Sequence, residues 1–258
     1  MKTFVIFILL SSLLCCSTQD KGNTFHDMDS INLSVDAVHK ADSLIRVKQR
    51  LIGDSILRLS LNDALLNRNQ AVEFYIDAYY RDKLPEDVFD LFNLKTLDIR
   101  FTRLGFVSER ICNLKRLKEL RITQSRLTNV DAVVCLDSLE RLDLFRNNLS
   151  SLPKDFHRLR QLKYLNLSSN PIKGSFEFPP FIEELEMVST DLTEFPRELC
   201  VLSHLTKVNL ADNSELNAIP IEIANLIQLK YLNLSNTKIT VNEIERLRRD
   251  MKNCEIVY

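Results

Sequence analysis

Glycine and tryptophan are the residues this chain most conspicuously lacks: four glycines in 258 residues and no tryptophan. The glycines stand far apart at Gly22, Gly53, Gly105 and Gly174. No stretch therefore supplies the clustered glycines that a phosphate-cradling loop needs. Neither sign of charge is in excess. With 34 basic and 35 acidic residues the net charge is -1, which gives no reason to expect nucleic acid or bulk membrane-surface binding. The four histidines, His26, His39, His157 and His204, are scattered, and no HExxH, GxSxG or Ser-His-Asp arrangement is recognisable. Beyond residue 16 the cysteines are Cys112, Cys135, Cys200 and Cys254, with no CxxC pair among them. That argues against a zinc or thioredoxin-type site. The expectation is a chain that is not an enzyme, with no catalytic residue, metal or cofactor to assign.

Leucine is abundant instead, at 43 residues. From Leu94 onward a template of the form LxxLxLxxNxL recurs: Leu94-Leu97-Ile99-Leu104, Leu117-Leu120-Ile122-Leu127, Leu139-Leu142-Leu144-Leu149 and Leu162-Leu165-Leu167-Ile172. It continues as Ile182-Leu185-Met187-Leu192, Leu205-Val208-Leu210-Leu216 and Leu229-Leu232-Leu234-Ile239, with starts stepping by 23, 22, 23, 20, 23 and 24 residues. Ala71-Phe74-Ile76 fits as a degenerate first coil and Met251-Cys254-Ile256 as a last strand. On this regularity, residues 84–256 resemble the leucine-rich repeat family.

The resemblance implies an α/β solenoid of about nine coils with a concave parallel β-sheet, spanning residues 71–258. The LxL segment is a short strand whose alternate leucines point inward. Nine strands roughly 4.8 Å apart make a face on the order of 40 Å long. Runs such as Leu84-Pro85 with Val88 and Leu91, or Ile219-Pro220 with Ile223 and Leu226, suit one or two helical turns on the convex side. The coil that starts at Leu162 departs from this, since Phe178-Pro179-Pro180-Phe181 favours an extended outer segment. Asn147, Asn170 and Asn213 hold the Asn column, and Thr102, Ser125, Thr190 and Thr237 replace it. In the family this side chain hydrogen-bonds backbone groups of the turn, a demand that Ser and Thr hydroxyls meet in part. Cys112 and Cys135 fall in adjacent coils and can approach, although buried free thiols are the expectation for them. Cys254 falls at an inward position.

The chain opens with a lysine and an apolar run from Phe4 to Leu14, ending in Leu13-Leu14-Cys15-Cys16. The run is too short to span a bilayer and reads as a signal-peptide core over residues 1–16. It resembles a bacterial lipobox with Cys16 as the lipidated residue. The implied location is the cell envelope, as a membrane-anchored lipoprotein of the outer membrane or cell surface, or secretion if Cys16 carries no lipid. Residues 17–35 read as a polar tether. Residues 36–70 read as a helical amino-terminal cap, with Val38, Ala41, Leu44, Ile45, Val47, Leu51 and Ile52 on one stripe and a short helix after Ser60 carrying Ala64, Leu65 and Leu66. Ile244, Leu247 and Met251 fit a closing helix at the other end.

The residues between the inward leucines face the concave surface, where the family binds proteins. One column reads Tyr75, Asp98, Arg121, Asp143, Asn166, Glu186, Asn209, Asn233, and its neighbour begins Glu73, Thr96, Glu119, Arg141, Tyr164. Four successive strands bring together Arg100, Arg121, Arg141, Phe145 and Tyr164. Arginine and aromatics without lysine are an interface composition, so these five are the candidate partner-binding residues. The competing expectation is a solvated ladder of Asp and Arg across strands. The partner is an unidentified protein bound by a monomer. The alternative is carbohydrate or another envelope polymer held by Tyr164 and Tyr231.

Overall fold

The structure, a computed structural model, describes residues 60–258 and the two-residue strand Val5–Ile6. Cys16, the tether, the rest of the signal segment and the cap helix expected over 36–58 lie outside the described residues.

One parallel sheet runs the length of the molecule in strict sequence order. Its strands are β1 (Val5–Ile6), β2 (Glu73–Asp77), β3 (Thr96–Arg100), β4 (Glu119–Thr123), β5 (Arg141–Asp143), β6 (Tyr164–Asn166), β7 (Glu184–Glu186), β8 (Lys207–Asn209), β9 (Tyr231–Asn233) and β10 (Glu255–Val257). From β2 to β9 the register matches the repeat alignment residue by residue, whereas in β10 it falls two residues later than expected: Ile256, not Cys254, pairs with Leu232. Phe74, Leu97, Leu120, Leu142, Leu165, Leu185, Val208, Leu232 and Ile256 form one continuous row. All but Ile256, in the terminal strand, are 0–1% exposed. Truncating one such leucine to alanine costs roughly 2–5 kcal/mol, because the flanking coils hold the cavity open.

The convex side is built from single 3-10 turns at Glu86–Asp90, Glu109–Asn113, Asp131–Cys135, Phe156–Arg158, Arg197–Val201 and Ile221–Asn225. Each drives at least one apolar side chain inward: Val88, Ile111, Val133, Phe156, Leu199 and Ile223 are at most 1% exposed, and Phe89 and Cys200 are buried beside two of them. Between β6 and β7 the chain is extended, as the two prolines require, and stacked Phe176 and Phe178 fill the core in place of a turn. At the amino-terminal end helix α1 (60–66) buries Leu61 and Ala64 against the first coil and leaves Leu66 exposed. Helix α2 (Val241–Asp250) replaces the last convex turn. The Thr240 hydroxyl caps it by accepting from the Glu243 N–H, and Ile244 and Leu247 are its buried face.

The Asn column makes the hydrogen bonds the turn needs. Asn170 Nδ2 donates to the Leu144 and Leu167 carbonyls, both at 2.9 Å, and its Oδ1 accepts from the Leu149 N–H at 3.1 Å. Asn147 and Asn213 repeat the pattern. At Thr190 and Thr237 one bond survives of the pair to the carbonyls, Thr190 Oγ1 donating to Met187 O at 3.0 Å and Thr237 Oγ1 to Leu234 O at 2.7 Å, while Thr102 shares a hydrogen bond with the Ser125 hydroxyl instead.

One expectation is corrected. Cys112 and Cys135 are not buried thiols. They form a disulfide, with Cα atoms 5.5 Å apart, between the ends of two neighbouring convex turns. Adjacent coils stack these positions at strand-like spacing, which already falls in the range a disulfide spans. Cys200 is buried and free; Cys254, expected at an inward position, stands one residue before β10 and is free and half-buried, because Ile256 takes the inward place beside Leu232.

Candidate functional site

The side chains of the concave face alternate with the buried row, so their arrangement follows from the same register. Asp98 pairs with Arg121 and Arg121 with Asp143 in one column, and Glu119 pairs with Arg141 and Arg141 with Tyr164 in the next. All five candidate residues, Arg100, Arg121, Arg141, Phe145 and Tyr164, line one open depression of about 420 Å³. Phe101, Glu119, Thr123, Gln124, Asp143 and Asn166 complete its wall.

The depression is organised around a carboxylate that the sequence alternation does not mark. Asp98 is expected on the open face, yet it is 1% exposed. Arg100 folds back over it, donating from Nε to Oδ1 at 2.8 Å and from Nη2 to Oδ2 at 2.5 Å. Arg121 reaches the same carboxylate at 3.4 Å and donates to Glu119 Oε1 at 2.5 Å. Arg141 stands 3.4 Å from Glu119 and stacks on Tyr164, its guanidinium carbon 4.0 Å from the ring centre. The ladder of charges is therefore real, and it is also the scaffold that fixes the three guanidinium groups and the tyrosine. The Asp98 bridge raises the Arg100 pKa further. Burial pushes the Asp77 and Asp143 carboxyls above their ordinary range, and burial next to Asp143 raises the Tyr164 phenol. Planar cations locked by neighbours lose little side-chain entropy on binding, the condition under which arginine and tyrosine dominate an interface.

Phe101 belongs to this wall and is 43% exposed. It is the first residue after β3, in a left-handed conformation with φ 51°. The only sequence signal for it is its place one residue after the strand column that holds Arg100. Tyr231, paired in the sugar-binding alternative with Tyr164, lies on β9 beneath Lys207, with β7 and β8 between the two rings. Among the described residues no cluster of His, Cys, Asp or Glu is placed to hold a metal ion, and no helix is long and apolar enough to cross a membrane.

Comparison with known proteins agrees with the repeat. The family description "Leucine rich repeat" matches residues 92–149 and 115–172, and a second one matches residues 161–185. The human volume-regulated anion channel subunit LRRC8A is 27% identical over 181 residues, covering 57% of this chain and 22% of that protein. A probable serine/threonine-protein kinase, pats1, of Dictyostelium discoideum is 29% identical over 221 residues, covering 78% of this chain and 6% of its own length. The chain thus spans less than a quarter of these relatives. Among solved structures, a plant peptide hormone receptor, RGFR1 in complex with RGF2, superposes with a TM-score of 0.46 at 22% identity, covering 65% of this chain and 32% of the receptor.

Proposed function

Because the chain is a leucine-rich repeat solenoid, a fold whose relatives act as protein-interaction scaffolds, we propose that it binds a protein partner through the depression on its concave face. The observation that carries this is the convergence of Arg100, Arg121, Arg141, Phe145 and Tyr164 on one depression, with the guanidinium groups held in place by Asp98, Glu119 and the Tyr164 ring. The partner is read by the guanidinium donors that Asp98 and Glu119 leave free and by an aromatic wall, and Phe101 and Phe145 supply apolar contact.

The same proposal places the domain at the bacterial cell envelope, tethered through a lipid on Cys16. The lipobox-like end of the opening apolar run supports it. So does the disulfide between Cys112 and Cys135, because such bonds persist where the surroundings are oxidising and are rare in the cytosol. Metabolic labelling with a fatty-acid analogue tests the anchor: label must appear on the wild type and disappear when Cys15 and Cys16 are both replaced. For the site, a folded Phe145→Ala, Tyr164→Ala variant is expected to lose the partner that the wild-type domain retains from envelope and host fractions. Retention of the same partner at the same affinity overturns the site.

A further inference from the structure

The turn flank, where the chain leaves the sheet, divides into two halves of opposite charge. After β3, β4 and β5 it carries Arg103, Arg126 and Arg146, and after β7 and β8 it carries Asp191, Glu194 and Asp212. Some charges elsewhere on the repeat pair across neighbouring coils, as in Lys118–Glu140, Lys163–Glu183 and Lys238–Glu215. Among the described residues none of these three arginines and none of these three acids has an ion pair. Stacking like charges on adjacent strands is unfavourable by itself, so each half is a surface whose counter-charge lies outside this chain's own coil. The basic half also exposes Phe101 and Phe106, at 43% and 48%. The acidic half opens into a groove of about 570 Å³ with Phe176, Leu192 and Phe195 in its wall, where Asp191, Glu194 and Glu198 outnumber Lys173 and Arg197. The groove lies beside the extended, 3-10-free segment between β6 and β7.

We propose that this flank is a self-association surface, occupied by the flank of a second copy of the chain in antiparallel orientation. Both halves repeat their charges from coil to coil, and turning one copy end for end sets Arg126 and Asp191, at the same position of their turns, against each other, with Arg103 and Asp212 two turn positions apart. A two-fold axis between the coils of β5 and β6 sets β3 against β8 and β4 against β7. Arg103 then faces Asp212, Arg126 faces Asp191, and Arg146 falls opposite Ser169. The aromatic pair of one copy adds apolar contact to the acidic, grooved half of the other. An interface of this kind is isologous and closes at two copies. It departs from the monomer expected from the sequence.

Sedimentation equilibrium of the full chain tests it, at low and high salt. The wild type is expected to form dimers that weaken with ionic strength. The Arg103→Glu, Arg126→Glu variant and the Asp191→Arg, Asp212→Arg variant are each expected to dimerise at least about tenfold more weakly, because like charges then meet. An equimolar mixture of the two variants is expected to recover a dimer, since each supplies the charge the other lost. A wild type that stays monomeric, variants that associate as the wild type does, or a mixture that fails to recover the dimer while both variants keep the wild-type circular dichroism overturns the proposal.

Discussion

Asp98 lies beneath Arg100, which donates to both of its carboxylate oxygens, at 2.8 and 2.5 Å, and shields it to 1% exposure. A carboxylate this deep is tolerated only while it is paired. The Arg100 side chain is 47% exposed, so the two partners are not equivalent. Replacing Asp98 frees an arginine that can turn to water, whereas replacing Arg100 strands a buried charge with Arg121 alone at 3.4 Å. Arg100→Ala is therefore expected to cost about 2 kcal/mol or more, and Asp98→Asn clearly less. Urea unfolding of the two variants checks the order, and a reversed order contradicts the bridge as described.

The acid side of the same face gives a pH dependence of unusual sign. Burial raises the Asp143 carboxyl above its usual 3.8, so the folded state binds this proton more tightly than the unfolded chain. The cost of burying the carboxylate is then present in full above the folded pKa and disappears as pH falls below the unfolded value. Asp143 Oδ1 accepts from the Phe145 N–H at 3.0 Å, a bond that an asparagine oxygen keeps. Asp143→Asn is expected to match or exceed wild-type stability at neutral pH, with the difference closing on acidification towards pH 3.8. A variant that is less stable at pH 7 and recovers in acid has the opposite linkage. Asp77, raised for the same reason, is expected to behave alike.

Much of this molecule was legible in its leucines. The spacing placed every strand from β2 to β9 in its observed register, because a one-residue slip would turn the buried row outward, and it missed β10 by two residues, a slip that keeps the same alternation. The concave columns, and with them the five candidate residues, followed from that register. What alternation could not convey was where a long side chain goes once it leaves the sheet, and so the burial of Asp98 under Arg100 was invisible. The disulfide was half legible: the spacing of Cys112 and Cys135 gave adjacent coils but not the facing ends of two convex turns. Charge was the least legible. A net of -1 sums an arginine half-flank and an aspartate half-flank to nearly nothing.

The scarcity of glycine also hid a backbone feature. In each coil from β2 to β9 the residue five beyond the first of the strand enters a left-handed conformation, and none of them is glycine: Ala78, Phe101, Gln124, Arg146, Ser169, Ser189, Asp212 and Asn236 all have φ between 50° and 58°. Such a conformation costs a side-chain-bearing residue roughly 1–2 kcal/mol, partly offset in glycine by its greater entropy when unfolded. Gln124, with φ 50°, sits among them in mid-solenoid. Gln124→Gly is expected to raise stability by about 0.5 kcal/mol, and Gln124→Val to lower it by about 1–2 kcal/mol because β-branching is poorly tolerated there. Opposite signs in a thermal melt are the test, and a glycine variant less stable than wild type contradicts the backbone as described.

The link between Cys112 and Cys135 closes a loop with a sequence separation of 23. A cross-link of that span restrains the unfolded chain by about 3 kcal/mol on the chain-entropy account. The Cys112→Ala, Cys135→Ala variant is therefore expected to unfold at lower urea than the oxidised wild type. Adding reductant is expected to bring the wild type down to the variant and leave the variant where it was. The two remaining thiols of the solenoid separate the cross-link from general thiol chemistry. Burial raises Cys200 and pushes Cys254 up to about 11, so in the folded protein both are expected to react slowly with alkylating reagents at neutral pH. After unfolding without reductant, peptide mass mapping should find Cys200 and Cys254 alkylated and the peptides of Cys112 and Cys135 joined. Alkylation of all four in material from an oxidising compartment would mean the bond does not form there. The support it lends to an envelope location would go with it.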